Sequence, residues 1–175
     1  MKQIPLVIIA GWSGSGKTTL VEKLIPELKN KGLVTGTIKH HHSNLEFDKP
    51  GKDSWRHRKA GAVKTIVSSP GSVGMVVDVD HDPDIDELLP SMTGVDFIIV
   101  EGYKDEDKPK IEIFRSTLHK KPRFLDDPNL IALASDVEME SGVPVFSLDE
   151  PEKLADFIIG YFKLSIQDST FKNQD

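Results

Sequence analysis

Apolar and polar positions follow two rhythms along the chain. Residues 4–10 (IPLVIIA) are continuously apolar and β-rich, which predicts a strand covered on both faces, as in parallel sheets. From Lys17 to Lys31, the residues Leu20, Val21, Leu24, Ile25 and Leu28 recur at helical spacing, and Gly32 can end that helix. Pro26 falls inside the pattern and should kink the helix or displace one backbone bond. Residues 33–40 (LVTGTIKH) read as the second strand, so the chain opens strand–loop–helix–strand.

The polar stretch DKPGKDSWRHRKAGA, residues 48–62, begins as a loop in which Asp53 or Ser54 caps a short helix through Ala60. Two β-rich runs, AVKTIVSS and SVGMVVDV, flank Pro70-Gly71 and predict a hairpin. DPDIDELLP is at best a short acidic helix. VDFIIVEGY is a second strand buried on both sides, whereas KIEIFRS alternates and reads as an edge or half-exposed strand. NLIALASD and VPVFSL are further short strands. A last helix starts near residues 149–151 and carries Leu154, Ile158 and Phe162 on one face, with Phe157 and Tyr161 beside it. The pattern predicts an α/β fold, a mostly parallel sheet flanked by helices with an inserted β-hairpin. Residues 1–164 read as one domain and residues 165–175 as a polar, disordered tail.

Composition narrows the function. With no cysteine among 175 residues, disulfides, thiolate zinc sites, iron–sulfur clusters and cysteine nucleophiles are excluded. A formal charge of −6 argues against general nucleic-acid binding. No apolar run approaches the roughly 20 residues of a membrane span. The N-terminal run lacks a small-residue cleavage site and leads into a glycine loop, which predicts a cytoplasmic protein.

That loop, GWSGSGKTT, comprises Gly11, Trp12, Ser13, Gly14, Ser15, Gly16, Lys17, Thr18 and Thr19. It fits G-x-x-x-x-G-K-[ST] between a buried strand and a helix, the context a phosphate-binding P-loop requires. Glycines let successive N–H groups turn inward around a phosphate, and the helix N-terminus adds unpaired donors. Lys17 would reach the β- and γ-phosphates, and the Thr18 hydroxyl would ligate Mg²⁺. Glu101, at the end of VDFIIVE, is the candidate acid on the metal side; Asp96 starts that strand and belongs at the opposite edge of the sheet. Lys39, Lys49, Lys52, Arg56 and Arg58 concentrate positive charge after the second strand, where loops border the ligand crevice of an open α/β sheet. His40, His41 and His42 are adjacent, so alternating side chains cannot all face one metal; His40 is a candidate phosphate or pterin contact. Trp12 and Trp55 could stack on a ring or pack internally. Asp136 follows the ALAS strand, where a carboxylate could accept from guanine N1–H and the exocyclic amine. The Asn-Lys companions of a full guanine motif are missing, with Leu133 and Ala134 in their places.

Taken in order, the glycine loop, IKHHH, DKPGKDSWRHRKAGA, IIVEGYK and IALASDV resemble the molybdopterin-guanine dinucleotide biosynthesis protein B (MobB) family over about residues 4–160. The resemblance implies a GTP-binding P-loop NTPase that acts as a homodimer. Such a protein assists the guanylyltransferase MobA in attaching GMP to molybdopterin. It also implies that residues 13–19 hold phosphates and Mg²⁺, and that the loop from Asp48 through Lys52 to Asp53 lies beside the nucleotide. Trp12 stands where many relatives in the wider class carry a second loop lysine, which implies slow hydrolysis at most. Two other readings fit the residues. One is a small-molecule kinase with Asp48 or Asp53 near the acceptor hydroxyl; the other is an interaction module with a vestigial loop. The hairpin's exposed strand edges suit pairing with a second chain.

Overall fold

The structure, a computed structural model, describes residues 3–166 apart from 42 and 44. It divides into two compact units, Met1–His40 with Ser91–Asp175, and His41–Pro90. His42 and most of the predicted tail lie outside the described residues.

The larger unit is a six-stranded sheet in the order β2-β5-β1-β6-β7-β8, and every pairing in it is parallel. The strands are β1 (Leu6–Gly11), β2 (Thr35–Lys39), β5 (Phe97–Glu101), β6 (Lys110–Phe114), β7 (Leu130–Ser135) and β8 (Val145–Ser147). The unbroken apolar run of β1 is explained by its central place: Leu6 to Ala10 are all buried. Helix α1 (Lys17–Asn30) and helix α4 (Pro151–Phe162) pack on each other. Leu20, Leu24, Leu28, Leu154 and Ile158 form one core with Val7, Ile9, Ile99 and Ile111 of the sheet. Full burial of such a side chain contributes about 1.5–3 kcal/mol. Pro26 lies within α1 on its exposed side, where water can hydrate the carbonyl that a proline nitrogen cannot serve.

KIEIFRS is not an edge strand. As β6 it lies between β1 and β7, with all five residues buried. Its alternation misleads because both polar residues are partnered. Lys110 Nζ lies 2.8 Å from Asp127. Glu112, on the sheet face opposite Ile111 and Ile113, accepts the N–H groups of Arg123 (2.7 Å) and Phe124 (2.9 Å). A buried polar group is tolerated when it is hydrogen-bonded in this way, and Glu112 thereby draws the 115–129 loop onto the sheet's second face.

The smaller unit contains α2 (Asp53–Lys59), the antiparallel hairpin β3 (Lys64–Ser69) and β4 (Ser72–Val77), and α3 (Ile85–Leu88). Neither Asp53 nor Ser54 caps α2. Lys52 is the N-cap residue and Asp53 the first helical one, because Ser54 donates its hydroxyl to Asp48 instead, at 2.8 Å. Helix α3 has the reciprocal cap that α2 lacks, formed between Asp84 and Glu87.

Candidate functional site

Parallel strands bring the ends of β1, β2, β5, β6 and β7 to one edge of the sheet. At that edge the chain leaves β1 and turns into α1 through residues 12–16. Two glycines make the turn possible. A Cβ on Gly11, at φ +140°, would lie 2.8 Å from the Ile113 carbonyl oxygen and 2.9 Å from Ser15 Oγ. Gly16, at φ +97°, has the Arg115 guanidinium 3.4 Å from where its Cβ would sit. No side chain caps α1, and its first turn carries no acidic residue. The backbone donors and positive dipole end there suit an anion. Ser15 Oγ is buried without a hydrogen-bond partner, an orphan group that a phosphate oxygen would satisfy. Lys17 Nζ donates to the carbonyls of Gly11 (3.1 Å) and Trp12 (2.7 Å), so it also ties the loop to itself. Burial holds the Lys17 ammonium below its ordinary value, opposed by Glu101 and reinforced by Lys39 and Lys104.

The predicted metal-side residues come together. Thr18 Oγ1 donates to Glu101 at 2.9 and 3.0 Å from the two carboxylate oxygens. Lys39 Nζ lies 3.1 Å from Glu101 Oε1 and 3.4 Å from Thr18 Oγ1. A hydroxyl beside a carboxylate is an all-oxygen donor set, the kind a hard cation such as Mg²⁺ takes. Strand register aligns Lys39 with Glu101, and Glu101 with Ile9 of β1. His40 is held close by its backbone N–H on the Glu101 carbonyl (2.8 Å) and by its ring on Tyr103, centroids 4.3 Å apart. This crowding explains Gly102, whose φ is +105° and whose Cβ would fall 2.7 Å from His40 Cβ. Asp96 sits at the other end of β5, accepting the Val34 N–H at 2.8 Å.

Three further residues surround the loop without having been singled out in the sequence. Arg115, directly after β6, donates Nε–H to the Ser15 carbonyl at 2.9 Å. His119 stacks on Trp12 at 4.6 Å, and the Arg123 guanidinium lies 5.1 Å from the same ring. A basic residue directly at the end of a central strand was the available signal for Arg115; the stack depends on the Glu112-anchored loop and has none. Ser13, Gly14 and Thr19 are exposed on the loop and the first helical turn. Asp136, exposed at the end of β7, accepts the Ser116 N–H at 2.8 Å and so joins the exits of β6 and β7.

Asp48 and Lys52 belong to the smaller unit, where they line an open pocket of 540 Å³ with His57 and Thr65. Trp55 in that unit donates Nε1–H to Glu46 at 2.5 Å, with Lys59 over its ring. Among the described residues, no helix is long and apolar enough to cross a membrane.

The chain is similar to known proteins in sequence and in fold. The profile of the family described as "Molybdopterin guanine dinucleotide synthesis protein B" matches residues 6–136. The molybdopterin-guanine dinucleotide biosynthesis adapter protein of Escherichia coli strain K12 is 41% identical over 165 residues, covering 91% of this chain and 94% of that protein. The adapter protein of the same name from Haemophilus influenzae is 37% identical over 158 residues, covering 89% and 88%. The crystal structure of Bacillus subtilis MobB superposes with a TM-score of 0.71 at 26% identity, covering 93% of this chain and 99% of that one.

Proposed function

The chain belongs to the molybdopterin guanine dinucleotide synthesis protein B family, and on that premise we propose that it is a cytoplasmic GTP-binding adapter in molybdopterin-guanine dinucleotide biosynthesis. In this reading it assists the guanylyltransferase MobA in joining GMP to molybdopterin, and hydrolyses GTP slowly if at all. The observation that carries the reading is the Thr18 hydroxyl on the Glu101 carboxylate, 2.9 Å away, beside an uncapped helix start.

Residues 13–19 would hold the triphosphate through backbone N–H groups, with Lys17 exchanging its two loop carbonyls for the terminal phosphates. Thr18 and Glu101 would hold Mg²⁺, which when bound neutralises phosphate charge. Arg115 holds the Ser15 carbonyl at 2.9 Å and so helps to fix the loop's backbone. Asp136, on the same sheet edge, would accept from the two guanine donors; charge-assisted bonds of that kind contribute about 1.5–3 kcal/mol each. Trp12 is stacked on His119 and supplies no second loop cation, in keeping with slow hydrolysis. His40, next to Glu101, and Asp48 and Lys52, in their own pocket, are the remaining candidate contacts for nucleotide or pterin. The exposed apolar hairpin is where a second copy would pair.

Calorimetric titration with GTP and with ATP in the presence of Mg²⁺ tests the reading. GTP should bind more tightly, and Asp136→Asn should move the preference toward xanthosine triphosphate. Equal or tighter ATP binding by the wild type would overturn the guanine assignment.

A further inference from the structure

Lys39 stands outside the glycine-loop pattern, yet its ammonium reaches the two oxygen donors assigned to the metal. It lies 3.1 Å from Glu101 Oε1 and 3.4 Å from Thr18 Oγ1. Lys17 does not duplicate this contact, since its own ammonium is engaged by the Gly11 and Trp12 carbonyls. The two lysines therefore serve different halves of the site, one the loop and the other the acid.

An ammonium and a divalent cation seek the same partners, oxygen atoms carrying negative charge. A single carboxylate cannot neutralise both at contact distance, and two like charges so close repel. The side-chain exposures show which partner can yield. Glu101 is 14% exposed and fixed on a central strand, whereas Lys39 is 57% exposed on the edge strand β2. Lys39 can swing its head into water on a flexible four-carbon stem, while the carboxylate stays in place. Strand register returns it to the same position, because Lys39 and Glu101 are paired residues of β2 and β5.

We propose that Lys39 is a built-in stand-in for the divalent cation, competing with it for Glu101 and Thr18. In the absence of metal, Lys39 keeps the acid neutralised and leaves the cradle attractive to a polyphosphate. Metal entry requires that ammonium to leave, so Lys39 raises the magnesium concentration at which the metal-bound complex forms. The nucleotide requirement for metal is then graded and tuned by one residue. This rests on the nucleotide and magnesium reading given above.

The test uses the full-length protein, a fluorescent non-hydrolysable GTP analogue, and two readouts. One is analogue affinity in excess chelator, and the other is Mn²⁺ affinity of the analogue complex measured by electron paramagnetic resonance. Lys39→Gln should weaken metal-free analogue binding and tighten Mn²⁺ binding, each by about fivefold, the upper range for a partly exposed charge pair. Lys39→Arg should retain the metal-free binding that Lys39→Gln loses. If Lys39→Gln leaves both readouts unchanged, or weakens both, this proposal fails while the nucleotide reading stands. A wild type that binds no analogue with or without metal overturns both.

Discussion

Thr18 Oγ1 and Glu101 Oε1 are 2.9 Å apart, although 83 residues separate them in the chain. Parallel pairing of β1 with β5 brings them together, since it sets the end of β5 beside the start of the glycine loop. Glu101→Gln keeps the shape and removes the charge. Mg²⁺-dependent GTP binding should then weaken by about tenfold or more, the scale of one charge-assisted hydrogen bond. Binding in chelator should not weaken, because the change frees the Lys39 ammonium beside the phosphates. Paired titrations with and without Mg²⁺ decide, and equal losses in both would remove Glu101 from the metal side.

Lys17 should reveal itself through pH. Burial foremost holds its folded-state value below the 10.5 of an unperturbed lysine. The unfolded chain therefore binds more protons in the alkaline window beneath 10.5, and stability attributable to this group rises with pH across it. At lower pH the cost of burying the charge is present in full. Lys17→Met removes both charge and titration, so wild-type stability relative to Lys17→Met should climb through that window in urea unfolding. The same variant should lose triphosphate binding. Parallel pH profiles for the two proteins would contradict the assignment.

Glu112 should matter to the loop more than to the sheet. Replacing it by Leu leaves the N–H groups of Arg123 and Phe124 without their acceptor, at a cost of about 1–3 kcal/mol for the buried Phe124 N–H. The loop carries His119, which stacks on Trp12, so Trp12 emission should shift as the loop loosens. A Trp55→Phe background isolates that signal. A stability loss with no change in Trp12 emission would show that the anchor does not reach the site.

The hairpin should mediate self-association. Ile66 is 60% and Val73 72% exposed on a two-stranded sheet, and such a ribbon has little stability of its own. Sedimentation at micromolar concentration should report a dimer, and Val73→Asp should shift it to monomer. A monomeric wild type would contradict the pairing.

Much of the site was legible in the sequence. The glycine loop, Lys17, Thr18 and Glu101 are set by local pattern and by strand ends, which periodicity locates well. What escaped depends on partners distant in sequence. Lys110 and Glu112 make β6 read as half-exposed, yet Asp127 and the 123–124 backbone allow both to be buried. The α2 start escaped because Ser54 bonds Asp48 rather than the helix. Arg115 was hidden because its value lies in a contact with Ser15, 100 residues earlier. Lys39 reads in the sequence as a candidate nucleotide contact, and the register of β2 on β5 is what sets it against Glu101.

Residues 11–18 should cradle a guanosine triphosphate, with Thr18 and Glu101 facing its metal. A crystal structure of the protein with a non-hydrolysable GTP analogue and Mg²⁺ tests it most directly. Phosphate density is expected between the loop and the α1 N-terminus, with Lys17 turned from the Gly11 and Trp12 carbonyls onto the terminal phosphates. An analogue seated in another cleft, with Lys17 still on those carbonyls, would contradict it.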